Sequence, residues 1–212
     1  MAERRYTMKL YVIRHGQSLG NVNQHKTPND GLTDLGKKQA RKVADYFESI
    51  SVSRIFCSPF RRVVETATPL AVDQEKRITL SPELSEIFDC VKRRDHKWES
   101  REELEKQFPF ATFAKTDEIK KQWWPNYPET EEVEVKHRVK SFFEKIIIPL
   151  LEKDEHVVIF GHRATTAQLK KFLCPDVSYE DHGNAVIFEY TLDENGTCVE
   201  NKEITEHLEG LV

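Results

Sequence analysis

The chain predicts an α/β fold with a largely parallel central sheet, on two observations. Short apolar, β-rich runs alternate with longer stretches whose apolar residues recur at helical spacing. Three of these runs stop at polar groups of unusual chemistry: Arg14-His15, Ser58 through Arg62, and Gly161-His162-Arg163. Open α/β sheets bind ligands beyond the carboxyl ends of their strands, so all three groups are expected to converge on one crevice.

The elements follow in order. Lys9-Leu10-Tyr11-Val12-Ile13 is a buried strand ending in a loop at Arg14-His15-Gly16. Thr33 is an N-cap, and Leu35, Ala40, Val43, Ala44, Phe47 and Ile50 keep helical spacing behind it. Arg54 to Cys57 is a second strand. Ser58-Pro59 is expected to cap and open a helix with Pro59 at its first position, lined inside by Val63, Ala67 and Leu70. Ile78 to Leu80 is a short third strand. From Ile87 to Pro128 the periodicity is lost among charges, Trp98, Trp123, Trp124 and three prolines, which predicts a lid of short helices and loops. A helix resumes from Val133 to Leu151, a buried strand from His156 to Phe160, and a helix from Ala164 to Leu173. Two late strands, Val186 to Leu192 and Cys198 to Thr205, flank a turn at Asp193-Glu194-Asn195-Gly196.

The composition is that of a folded chain. Hydrophobic residues make up 38% and charged residues 32%, with the Trp, Tyr, Phe and Ile that disordered chains lack. A length of 212 residues suits a single domain, with the lid inserted at about 88–128. A net charge of -4 speaks against a nucleic-acid partner. The basic run Lys92-Arg93-Arg94 is short and flanked by acids, so it reads as solvated surface, with phosphate binding as the sharper alternative. Cys57, Cys90, Cys174 and Cys198 are scattered without CxxC or Cys/His zinc spacing, so no metal site and no cofactor are expected and the thiols read as reduced. Met1 to Met8 lacks an apolar signal region, and no stretch approaches the ~20 apolar residues of a membrane span. A soluble cytoplasmic protein with no membrane partner is the expectation. Oligomeric state has no signature in the sequence.

Arg14-His15-Gly16-Gln17-Ser18 is the strongest local signal. A neutral imidazole attacks phosphorus to form a phosphoramidate. Arg14 offers planar donors to phosphate oxygens, and Gly16 is expected to let the backbone approach an anion closely. Arg62, four residues past Ser58, would place a guanidinium one turn into a helix whose N-terminus already favours anions. His162 follows its strand as His15 follows its own, which makes it a second phosphate donor. Taken alone, it is more often a structural histidine. Glu86 lies after the third strand. A carboxyl beside bound phosphate is kept protonated by like-charge repulsion, so Glu86 is a candidate proton donor, with Glu83 and Asp89 as rivals.

Five ordered blocks resemble the histidine phosphatase superfamily, the phosphoglycerate mutase-like group. They are Arg14-His15-Gly16-Gln17-Ser18 with Asn21; Leu32-Thr33 with Gly36, Gln39 and Ala40; Ser58-Pro59-Phe60 with Arg62, Thr66 and Ala67; Leu84 with Glu86; and Gly161-His162. Asn184-Ala185 also fits. The resemblance implies a three-layer sandwich with a mostly parallel central sheet flanked by helices. It implies His15 as nucleophile, Arg14, Arg62 and His162 around the phosphoryl group, Asn21 as a phosphate contact, and Glu86 as the acid. The chain departs from the pattern at Arg163, where this branch has a small residue, and after Glu86, where no Gly-x-x-Glu-Gly follows.

The reaction so implied is hydrolysis of a small phosphorylated metabolite without a metal ion. Phosphoglycerate mutase-type transfer and non-catalytic phosphate binding are the alternatives. The catalytic groups see only the phosphoryl group, so specificity falls to what overhangs it. The candidates are the lid, with Lys92, Arg93, Arg94, Trp123, Trp124 and Tyr127, and Arg163 as a dock for a second anionic group. The bland alternative is that the tryptophans pack the lid onto the body and Arg163 pairs with a surface acid.

Overall fold

A computed structural model describes residues 8–24, 27–88, 98–114, 123–125, 128–153, 155–175 and 182–211. The described strands are β1 (Met8–Arg14), β2 (Arg54–Cys57), β3 (Ile78–Leu80), β4 (Ala111–Phe113), β5 (His156–Gly161), β6 (Ile187–Leu192) and β7 (Cys198–Ile204). They form one sheet in the order β4-β3-β2-β5-β1-β6-β7. The run from β4 to β1 is parallel throughout; β6 and β7 close one edge antiparallel.

The two faces of the sheet are read directly from β1 and β5. Tyr11, Ile13, Val158 and Phe160 face a core shared with α1 (Asp34–Tyr46) and α2 (Arg61–Asp73), through Val43, Val63, Ala67 and Leu70. Met8, Leu10, Val12, Val157 and Ile159 face the opposite core, shared with α4 (Lys136–Phe142) and α5 (Arg163–Leu173) through Val139, Phe142 and Leu169. The short α3 (Arg101–Gln107) places Leu104 in the first core. This is a helix–sheet–helix sandwich, and it explains why the central strands are apolar on consecutive positions. Right-handed crossovers explain the sides: the chain steps outward from β1 to β4 with its helices on one face, then returns to β5 with α4 on the other.

Thr33 caps α1 as expected, its hydroxyl accepting from Gly36 N at 3.1 Å. Other expectations are corrected. The second helix begins at Arg61, not at Pro59, and its N-cap Phe60 makes no side-chain cap bond. The Ser58 hydroxyl lies ahead of the helix, where it accepts from Phe60 N at 3.3 Å and meets His162 Nε2 at 2.9 Å. Arg62 is therefore the second residue of the helix instead of lying a full turn inside it. Within the stretch expected to be helices and loops, Ala111–Phe113 is a parallel strand paired with β3. The helix expected from Val133 is a run from Glu131 to Lys153 with π turns at Glu131–Val135 and Phe143–Ile147 and a 3-10 end at Ile148–Lys153.

Trp98 and Trp123 are buried, their rings 5.3 Å and 5.6 Å from that of Phe60 and both close to Phe88. Their role in the described structure is packing. Asp89, the run Lys92 to Arg94 and Tyr127 lie outside the described residues. No helix among the described residues is long and apolar enough to cross a membrane.

This two-core arrangement predicts a contrast in stability. Phe160→Ala, at a fully buried site, should cost about 3–5 kcal/mol in urea unfolding. Val199→Ala, at a position 60% exposed on edge strand β7, should stay within about 0.5 kcal/mol. Comparable losses at the two sites would contradict the assigned layers.

Candidate active site

Adjacent parallel strands bring the expected groups together. β2, β5 and β1 lie side by side, with Cys57 opposite Phe160 and Arg14 opposite Gly161. The ladder continues one bond past each strand end: His15 N donates to Gly161 O at 3.1 Å and Ser58 N to Phe160 O at 3.1 Å. His15, Ser58 and His162 thus leave the sheet at one level. The imidazoles of His15 and His162 are 5.3 Å apart, centroid to centroid, and both are buried.

Arg62 joins them. Its Nε donates to His15 Nε2 at 3.3 Å and its Nη2 lies 3.2 Å from His162 Nδ1, while Nη1 donates to Pro28 O at 3.3 Å. The guanidinium carbon sits 4.6 Å over the Phe60 ring, and that ring meets His162 edge-on at 4.9 Å. Cation–π contact and the backing aromatics hold the group where it is.

The tautomers follow from the partners. His15 Nδ1 is 2.7 Å from the carbonyl of Gly16, which can only accept, so Nδ1 carries the proton and Nε2 presents a lone pair. A guanidinium can only donate, so His162 Nδ1 accepts from Arg62 and its Nε2–H points at Ser58 Oγ. The His15 pKa lies well below its ordinary 6.5, because burial disfavours the imidazolium and Arg62 and then Arg14 repel it. His15 is a neutral imidazole.

The loop carrying His15 is pinned on several sides. Gly16 N donates to Thr66 Oγ1 at 3.0 Å. A Cβ on Gly16 would come within 2.7 Å of Gly36 O, and one on Gly36 within 2.0 Å of Gln17 O. Gly16 is therefore required for packing of the loop onto the start of α1. Asn184 Nδ2 donates to His15 O at 3.0 Å, and Ala185 N to Arg14 O and His15 O at 3.1 and 3.2 Å. Ala185 does so from a left-handed φ of 61°, an uncommon conformation for a residue with a side chain.

Among the remaining expected residues, Arg14 Nη1 donates to the His182 carbonyl. Asn21 Oδ1 accepts from Ser18 N, Ser18 Oγ and Asn184 Nδ2 at 2.9, 3.0 and 3.2 Å. Glu86 turns Oε1 to the amide of Ile87 at 3.0 Å, and its Oε2 lies 4.0 Å from His162 Nδ1. Its rival Glu83 is instead bound by Ser81 Oγ at 2.6 Å. Arg163 is the first residue of α5 and is exposed beside His162. Ser58 was expected as a cap and its contact with His162 has no signal in the sequence; Thr66 and Asn184 were visible only as parts of the family blocks. Among the described residues no group of three or more His, Cys, Asp and Glu is arranged to hold a metal ion.

Two imidazoles at the ends of adjacent parallel strands thus share one guanidinium from α2. The chain matches the histidine phosphatase superfamily (branch 1) over residues 10–200 and belongs to it. A probable phosphatase of Schizosaccharomyces pombe is 23% identical over 205 residues, spanning 94% of this chain and 88% of that protein. A 2,3-bisphosphoglycerate-dependent phosphoglycerate mutase of Bifidobacterium longum is 28% identical over 217 residues, spanning 89% of this chain and 88% of the mutase. The solved structure of YhfR from Bacillus stearothermophilus superposes with a TM-score of 0.70 at 20% identity, covering 95% of this chain and 100% of that one.

The neutrality of His15 has a measurable consequence. The unfolded chain protonates this imidazole near its ordinary 6.5, whereas the folded chain does not until well below that value. The stability so contributed is complete above the unfolded value and is lost as pH falls toward the folded one. Urea unfolding between about pH 7.5 and about pH 5 should show stability falling with acidification, and His15→Gln should flatten the slope by as much as one proton, about 1.4 kcal/mol per pH unit. An unchanged slope would mean that the native His15 is charged.

Proposed function

We propose that the protein is a metal-independent phosphatase that hydrolyses small phosphate monoesters through a covalent phosphohistidine on His15. The observation that carries this reading is the single guanidinium of Arg62 donating to both imidazoles, with the lone pair of His15 Nε2 on the inner side. A phosphoryl group arriving there takes over those donors.

In the first step the His15 Nε2 lone pair forms the N–P bond in line with the leaving oxygen. The P–O ester bond breaks, and the leaving oxygen takes a proton from the Glu86 carboxyl group. In the second, water attacks phosphorus and gives its proton to Glu86. The N–P bond then breaks, releasing phosphate and restoring neutral His15. Arg14, Arg62 and His162 hold the equatorial oxygens, so catalysis is chiefly positioning and charge stabilisation, with guanidinium groups supplying the positive charge. Asn21 Oδ1 is already engaged, so its contribution to the anion comes from Nδ2. The Ser58 hydroxyl donates or accepts equally well, which lets His162 present a proton from Nδ1 once phosphate replaces Arg62 there. A cytoplasmic setting belongs to this reading. Likeness to the mutase of Bifidobacterium longum favours a second reading, return of the phosphoryl group to another hydroxyl. Phosphate release against isomer formation from a phosphoglycerate separates the two.

His15→Ala should abolish phosphate release from a metabolite panel, and a chelator should leave the wild-type rate unchanged. Activity surviving in the variant, or lost to the chelator and restored by magnesium or zinc, would overturn the assignment. Glu86→Gln should slow alkyl phosphates far more than activated aryl phosphates, because only the former need the proton; equal slowing would remove Glu86 from the role of acid.

Exposed beside His162, Arg163 is proposed to dock a second anionic group of the substrate. Arg163→Ala should raise KM for a substrate bearing a second carboxylate or phosphate and leave a simple aryl phosphate nearly unchanged. Equal effects on both would make the residue structural.

A further inference from the structure

The loop from Ser81 to Phe88 has almost no secondary structure of its own beyond one 3-10 turn at Pro82–Leu84, yet it carries Glu86. Three of its backbone carbonyls find their partner in one side chain, more than fifty residues along the chain. Arg138, on α4, donates from Nη1 to Glu83 O at 2.7 Å and Ser85 O at 2.8 Å, and from Nη2 to Glu86 O at 3.1 Å. Its remaining donors go to Glu129: Nε to Oε1 at 2.9 Å and Nη2 to Oε2 at 2.8 Å. All five N–H groups of the guanidinium are thereby used, which is the full capacity of an arginine. Glu129 completes the frame. Its Oε2 also accepts from Phe88 N at 3.0 Å, and its own amide donates to Phe88 O at 3.0 Å. The carboxylate side chain is 2% exposed and that of Arg138 16% exposed.

A buried ion pair is favourable only when its geometry is good and its leftover hydrogen-bonding capacity is filled, and here it is filled by the loop. The peptide of Glu86 is gripped on its own carbonyl and on the carbonyl before it, while Phe88, two residues on, is tied to Glu129. The free variable left to Glu86 is its side-chain rotamer. A lysine in place of Arg138 would keep the charge but not the planar fork that reaches three carbonyls and a carboxylate together.

We propose that Arg138, oriented by Glu129, is a positioning residue that sets the distance between the Glu86 carboxyl group and the leaving oxygen of the substrate. The inference rests on the reading of Glu86 as the general acid. Its reach is longer than that of a packing residue, because a misplacement of about 1 Å at a reacting group costs on the order of 100-fold in rate.

The test compares an alkyl phosphate, which needs the proton, with an activated aryl phosphate, which does not. In Arg138→Lys, kcat for the alkyl ester should fall about 10- to 100-fold, with KM little changed and at most about a three-fold loss on the aryl ester. Combining it with Glu86→Gln should add little to the loss seen in Glu86→Gln alone, since the two act on one proton transfer. Glu129→Gln keeps the shape of the frame and should shift the two substrates in the same sense to a smaller degree, and it serves where Arg138→Lys does not fold. Parallel loss on both esters, or additive loss in the double variant, would make Arg138 merely structural. The two readings fail separately: equal slowing of both esters by Glu86→Gln defeats the acid, whereas discrimination by Glu86→Gln without discrimination by either frame variant defeats the positioning.

Discussion

Arg62 stands between two buried imidazoles and donates to both, and most of the surrounding structure serves that arrangement. A guanidinium cannot accept a hydrogen bond, so each facing nitrogen must offer a lone pair. This makes both histidines neutral with opposite tautomers, one anchored by a backbone carbonyl at Gly16 and the other by the Ser58 hydroxyl. The positive charge of the cluster is then concentrated on arginine, which does not deprotonate, and the histidines retain their lone pairs. Burial and the nearby cations hold His15 in that state.

The sheet supplies the registration. Because β1, β5 and β2 are neighbours, His15, His162 and Ser58, far apart in the chain, leave the sheet side by side. The aromatic cluster of Phe60, Phe88, Trp98 and Trp123 stands behind them, and Phe60 touches both Arg62 and His162. The tryptophans thus act on the site through packing. On the opposite side, the Arg138–Glu129 pair holds the loop that brings a carboxyl group to the rim. The site is a set of side chains held by rigid elements on one side and by a filled polar frame on the other.

The parts legible in the sequence were those with a local pattern. An apolar run ending in Arg14-His15-Gly16 announces both a strand and the polar group at its end, and the second histidine repeats the device at His162. Thr33 is readable as a cap because its hydroxyl oxygen still accepts from Gly36 N while its proton goes to Gln17 Oε1. Ser58 is not the cap because the helix starts later, at Arg61, and the second partner of its hydroxyl, His162, is remote in sequence. The bareness of Gly16 also serves a contact with Gly36 on another element, for which the sequence has no local signal. Ala111–Phe113 escaped notice because three residues carry no periodicity, and only the exposed edge of β3 makes them a strand. Arg138 looks like any charged residue on a helix surface, and nothing local distinguishes it from Lys136 or Lys140. Its significance lies in carbonyls more than fifty residues away.

The central claim is that tautomer fixation by Gly16 makes Nε2 of His15 the nucleophilic atom. The direct measurement is to quench the enzyme with alkali during turnover of a phosphate ester, digest it, and determine the position of the phosphoryl group on the labelled peptide by 31P NMR. The expected product is a base-stable, acid-labile phosphoramidate on His15 with phosphorus bonded to Nε2. Phosphate on Nδ1, on His162, or on a serine or carboxylate side chain would contradict it.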